Sequence, residues 1–132
     1  METKFAFLVI DDNHIDQFIT TQSFKKMLGV SEINIANNGR EGIIWICDNR
    51  KKTDEPLIIL LDIHMPIMNG LQFLIEYEKL EDELKKDTQI FILSSSLNAD
   101  EITCLKDNIH VTDFLNKPIS VKEFGQRIYT NS

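Results

Sequence analysis

The chain has little cysteine, a deficit of basic residues and no long apolar run. Its two cysteines, Cys47 and Cys104, each fall inside an apolar helical pattern. They read as two reduced core thiols, which leaves no disulfide framework and no metal pair to build on. With 14 basic residues against 21 acidic ones, the formal net charge is −7. Such a balance argues against nucleic acid or an anionic membrane as the main partner, because both require cationic surface. It suits a metal ion or the basic face of another protein. No stretch approaches the roughly 20 apolar residues needed to cross a bilayer. The opening METKFAFLVIDD has an apolar run too short for the core of a secretion signal, and it ends in two acids. Neither an internal repeat nor a low-complexity tract is present. The expectation is a soluble cytoplasmic protein whose 132 residues form a single domain, 1–132, with a core over about 4–129.

What is present begins with short apolar runs. Phe5–Ile10, Leu57–Leu61 and Ile90–Leu93 lack the alternation of a half-exposed strand, and so suit strands covered on both faces, as in a parallel sheet. Ile33–Ala36 and Val111–Leu115 are weaker strand candidates. Helical patterns lie between and after them, over 14–28, 39–49, 70–80, 99–108 and 121–129. The first is imperfect, since Ile15, Phe18 and Ile19 lie on a different sector from Phe24, Met27 and Leu28. Its boundary signals support it nonetheless. Asn13 precedes Asp16, Asn38 precedes Glu41, Asn69 precedes Gln72, Asn98 precedes Glu101 and Ser120 precedes Glu123. Each pair is a cap residue with an acid or amide three places on, able to satisfy the orphan N–H groups of a helix start. Polar stretches at 48–56 and 81–88 read as surface loops or extended helix ends. The order is therefore (βα)5, a doubly wound five-stranded parallel sheet between helices.

In such a sheet, ligands collect beyond the carboxyl ends of the strands. The stretch LLDIHMPIMNG, residues 60–70, ends an apolar run on Asp62 at that rim. The first strand delivers Asp11 and Asp12 there, the fourth Ser94, Ser95 and Ser96, and the fifth Asn116, Lys117 and Pro118. Three converging carboxylates repel one another unless a cation sits among them. Mg²⁺ takes such oxygen ligands and shares them with phosphate. Lys117 adds an ammonium and a serine adds a hydroxyl, the groups that hold the equatorial oxygens of a transferring phosphoryl group. Asp62 is then the candidate nucleophile, forming an aspartyl phosphate.

The spacing Asp11-Asp12, Asp62-x-x-Met65-Pro66-x-Met68-Asn69-Gly70, Ser94 and Lys117-Pro118 resembles the receiver domain of two-component response regulators, over nearly the whole chain. The resemblance implies a flavodoxin-like fold of the receiver type. It implies that Asp62 accepts a phosphoryl group from a histidine kinase or histidine phosphotransfer protein. Asp12, Asp11 (mostly through water), Asp62 and the backbone carbonyl of His64 would hold Mg²⁺ or Mn²⁺. Ser94 would bond the phosphoryl group beside Lys117, with Ser95 the second choice. The Lys117–Pro118 peptide is expected to be cis, and Phe114 matches the aromatic switch position. Ser96 and His64 fall where the family varies the residues that tune loss of the phosphoryl group. The imidazole of His64 is expected to face solvent or a metal-bound water rather than ligate the metal.

The implied role is a phosphoacceptor signalling domain rather than an enzyme acting on an external substrate. A stand-alone receiver is expected, with output through a downstream protein target or onward transfer to a histidine. The expected assembly is a monomer or a phosphorylation-dependent dimer. Three other readings compete. The phosphatases with an aspartyl nucleophile carry Asp-x-Asp on the first strand, whereas here Asp62-Ile63-His64 lies on the third and lacks the second acid. A degenerate receiver would lack an acid or the lysine, and all are present. A fragment of a hybrid kinase is the third, against which Met1 directly before the first strand counts mildly. For Asp11-Asp12 the competing role is helix-start charge, for Phe114 a plain core aromatic. Trp45 and Tyr77 carry no role beyond packing.

Overall fold

The computed structural model describes residues 5–28, 33–94 and 99–117. Along the chain these form β1 (Ala6–Ile10), α1 (His14–Leu28), β2 (Ile33–Ala36), α2 (Gly39–Asn49), β3 (Leu57–Asp62) and α3 (Gly70–Glu78). A short α4 (Asp82–Lys85), then β4 (Thr88–Ser94), α5 (Ala99–Lys106) and β5 (Val111–Asn116) follow. The five strands make one sheet in the order β2-β1-β3-β4-β5, and every pairing is parallel. The helix expected over 121–129, the Ser120 cap, Asn98, Ser95, Ser96 and Pro118 lie outside the described residues.

Successive residues of a strand face opposite sides of the sheet, and the apolar runs divide accordingly. Leu8, Ile10, Ile59, Leu61, Ile90 and Ile92 join Phe73 and Tyr77 of α3 and Ile46 of α2 in one core cluster. Phe7, Val9, Ile58, Leu60, Phe91 and Leu93 turn the other way, onto Phe24 of α1. Burial on both faces is why these strands read as continuous apolar runs rather than alternating ones. Phe24 is fully buried and meets Phe7 with ring centroids 5.3 Å apart. Its burial fixes α1, and the other sector is left outside: Ile15, Phe18 and Ile19 are all exposed.

Caps begin α1, α2 and α3 as the sequence suggested. Asn38 accepts from the N–H of Glu41, and Asn69 with Gln72 closes a reciprocal box at α3. Asn13 accepts from the N–H groups of Ile15 and Asp16 at 2.9 and 3.0 Å. One expectation needs correction. Cys47 and Cys104 are exposed rather than core thiols, because the buried faces of α2 and α5 are taken by Ile46 and Leu105. The polar stretch 48–56 is only partly surface. Arg50, in a 3₁₀ turn over Arg50–Lys52, is buried, and its guanidinium donates to the carbonyls of Glu55 and Lys86 at 2.8 and 2.7 Å. Burial lowers its pKa, against the smaller opposing fields of Tyr77 and Asp87. The other polar stretch, 81–88, contains the single turn of α4.

Candidate metal and phosphoryl centre

The order of the strands reverses its direction of growth between β1 and β3. This switch point leaves a crevice above their carboxyl ends. Asp11 lies directly beyond β1, its N–H donating to the carbonyl of Ala36 at 3.0 Å, and Asp62 is the last residue of β3. Asp62 and Asp11 continue the alternation that puts Leu60 and Val9 on the α1 side of the sheet. Each carboxylate is therefore aimed by a paired strand rather than by a free loop.

Asp11, Asp12 and Asp62 bring one oxygen each within 4.8 Å of one another, Asp11 and Asp62 buried and Asp12 exposed. The donor set fits a hard divalent cation: all oxygen, three formal charges, and one side open to solvent where metal-bound waters and a phosphate can enter. Lys117 reaches the same cluster. Its ammonium donates to Asp11 Oδ2 and Asp16 Oδ2, both at 3.0 Å, and stands 3.5 Å from Asp62 Oδ2. The sequence reading placed Asp11, Asp12, Asp62 and Lys117 at one rim, and the structure brings them together.

Electrostatics follow from this crowding. Burial pushes the Asp62 carboxyl up to about 6, with the field of Asp11 adding to the rise and Lys117 opposing it. The N–H of His64, donating to Asp62 Oδ1 at 3.3 Å, also opposes it. Burial alone would lower the Lys117 pKa. Hydrogen bonds to Asp11 and Asp16, with the fields of Asp11 and Asp62, outweigh it and raise the value. In the absence of a divalent ion, the lysine is thus the counter-charge of the cluster.

The remaining predicted residues stand around this centre. Ser94 is buried at the end of β4, opposite Asn116 in register, and its carbonyl accepts the N–H of Lys117 at 3.1 Å. Phe114 lies opposite Ile92 in β5 and packs, partly buried, against the larger core cluster. The imidazole of His64 turns away from the carboxylates and pairs through Nε2 with Glu101 of α5 at 2.8 Å.

Three further residues shape the site. Asp16 holds Lys117, Gln17 donates to the carbonyl of Asp11 and to Asn37, and Gly70 lies against the end of β3. A Cβ on Gly70 would stand 2.9 Å from both the Asp62 carbonyl oxygen and Ile63 Cα. The signal for Asp16 was the strand alternation: it directs Asp11 and Asp62 to the side that α1 covers, and Asp16 opens α1.

A parallel α/β sheet with three carboxylates and a lysine at its switch point has the donor set for a hard cation. The particular family follows from comparison with known proteins. Residues 7–129 match the family model of the response regulator receiver domain, and the chain belongs to that family. It is 28% identical over 120 residues to the hybrid signal transduction histidine kinase G of Dictyostelium discoideum, covering 91% of this chain and 3% of that protein. It is 26% identical over 125 residues to the probable C4-dicarboxylate response regulator DctR of Bacillus subtilis, covering 95% of this chain and 51% of that protein. The chain thus spans about half of one relative and a small part of the other. A two-component response regulator of Cytophaga hutchinsonii has the same fold, with a TM-score of 0.85, 22% identity, and 98% and 97% of the two chains covered.

Proposed function

We propose that this receiver domain accepts a phosphoryl group on Asp62 from a phosphohistidine donor, in a Mg²⁺-dependent reaction. The single observation that carries the reading is the convergence of Asp11, Asp12, Asp62 and Lys117 at one strand rim. Asp12, Asp11, Asp62 and the carbonyl of His64 would hold the ion, Mg²⁺ or Mn²⁺. When bound, it would supply positive charge to the oxygens of the phosphoryl group. An Asp62 carboxylate oxygen forms the new P–O bond as the P–N bond to the donor imidazole breaks, and the departing imidazole takes a proton from solvent. Lys117 balances the added charge, and the Ser94 hydroxyl donates to a phosphoryl oxygen. The strand end positions Asp62, because it pairs with Leu93 of β4 and directly follows Leu61, which pairs with Ile10 of β1.

The output follows from the same chemistry. A phosphoryl group brings close to two negative charges and three acceptor oxygens. Drawing the Ser94 hydroxyl inward would let Phe114 follow and repack the face formed by α5, β5 and the helix expected over 121–129, a local charge event acting on a two-state element. The partners are a histidine kinase or phosphotransfer protein on the donor side and a downstream protein target, or a second histidine, on the other. The setting we infer is cytoplasmic, and among the described residues no helix is long and apolar enough to cross a membrane.

Intact-mass analysis after incubation with Mg²⁺ and acetyl phosphate tests the reading, with Asp62→Asn as control. One added phosphoryl group, lost with chelator and absent from the variant, is the expected result. An unmodified chain that also fails to bind beryllofluoride would refute it.

A further inference from the structure

Lys117 is shared, and the sharing is unequal. An ammonium has three protons. Two of them are committed at 3.0 Å, to Asp11 and Asp16, while Asp62 stands at 3.5 Å, beyond the range of a good N–H···O bond. Asp16 does not belong to the carboxylate cluster that fits a cation. Nor is its carboxylate used at the helix start. The N–H of Asn13, which a reciprocal cap would have directed to residue 16, goes instead to Asp11 Oδ1 at 2.9 Å. What remains for Asp16 is the lysine, which it meets with a side chain about one-third exposed (36%).

The geometry points to Asp16 as a positioning residue that holds Lys117 in a resting place and competes with the phosphoryl group for the same ammonium. The inference rests on the phosphoacceptor reading of Asp62. Two effects act in one direction. Asp16 retains a proton donor that the phosphoryl oxygens need, and its own negative charge lies beside the lysine that an incoming anion must approach. A cation bound among Asp11, Asp12 and Asp62 would occupy Asp11 and loosen its hold on the lysine, but would leave the Asp16 pair intact. Release from Asp16 is then the step that completes the phosphorylated arrangement. The site is set to bind a phosphoryl group less tightly than the same residues would without Asp16.

The test uses the full chain, saturating Mg²⁺ and beryllofluoride as the phosphoryl mimic. Affinity is measured by calorimetry for the wild type and for Asp16→Asn, whose folding is checked by thermal unfolding. A crystal structure of the wild-type complex gives the position of the lysine. Asp16→Asn is expected to bind the mimic roughly fivefold more tightly, the size of a partly exposed ion pair. In the wild-type complex the Lys117–Asp16 separation should open beyond about 4 Å, the limit of an ion pair. Equal or weaker binding by the variant overturns the inference. So does tighter binding with the lysine still seated on Asp16, since the effect would then be one of charge at a distance. A wild type that fails to bind the mimic at all refutes the phosphoacceptor reading together with the inference. Binding that Asp16→Asn does not tighten refutes the inference alone.

Discussion

Replacing Asp62 by asparagine should stabilise the metal-free protein at neutral pH, although it removes the residue on which the proposed chemistry depends. Asp62 is held nearly out of water beside Asp11, and its pKa rises from 3.8 to about 6. A carboxyl whose folded-state pKa is raised binds its proton more tightly in the fold. Its contribution to stability is therefore complete below the unfolded value and is lost as pH rises through about 6. The full shift corresponds to roughly 3 kcal/mol at neutral pH. Screening by Lys117 and solvent in so tight a cluster brings the expected gain to about 1–2 kcal/mol. Urea unfolding in chelator, at about pH 7.5 and again near pH 5, measures it. Asp62→Asn should unfold at higher urea than the wild type at the upper pH, and the difference should shrink to about half at the lower one. A variant no more stable than the wild type at pH 7.5, or a gain that does not change with pH, would refute the account of a carboxylate destabilised by its surroundings. Added Mg²⁺ should narrow the gap by stabilising the wild type preferentially.

Two substitutions test the frame around the site. Gly70→Ala forces a methyl group against the Asp62 carbonyl and Ile63. It should cost about 1–3 kcal/mol in urea unfolding and weaken Mg²⁺ binding, because the atoms in the way belong to the end of β3. Ile67 is exposed and sits at φ 67°, a left-handed conformation that a β-branched residue adopts at a cost. Ile67→Asn should raise stability by about 1 kcal/mol with the phosphorylation chemistry unchanged, measured by thermal unfolding and by mass after acetyl phosphate treatment.

The sheet was legible because its strands are buried on both faces. Leu57–Leu61 has no polar residue to interrupt it, and Asp62, Asp11 and Lys117 stand out wherever such a run stops. Helix starts were legible through Asn38 and Asn69, whose side chains have one local task. Other features depend on which face a neighbour covers, and no local pattern records that. Cys47 and Cys104 look like core residues until Ile46 and Leu105 are seen to fill the inward positions. Arg50 looks like solvent-facing charge, yet its guanidinium closes the carbonyls of two segments 31 residues apart, Glu55 and Lys86. Asp16 fits a cap pattern from sequence alone. Only the placement of α1 over the lysine's side of the sheet assigns its carboxylate elsewhere.

The hydrogen bond from the Lys117 N–H to the Ser94 carbonyl joins the ends of β4 and β5 at the rim. A hydroxyl and an ammonium drawn from two strands thereby pivot on a common fulcrum. Any tilt of one strand tip carries the other group with it, so the two cannot be retuned separately by shifting backbone. Adjustment of one against the other is left to side-chain rotation, and the lysine, with its long stem, has the greater throw.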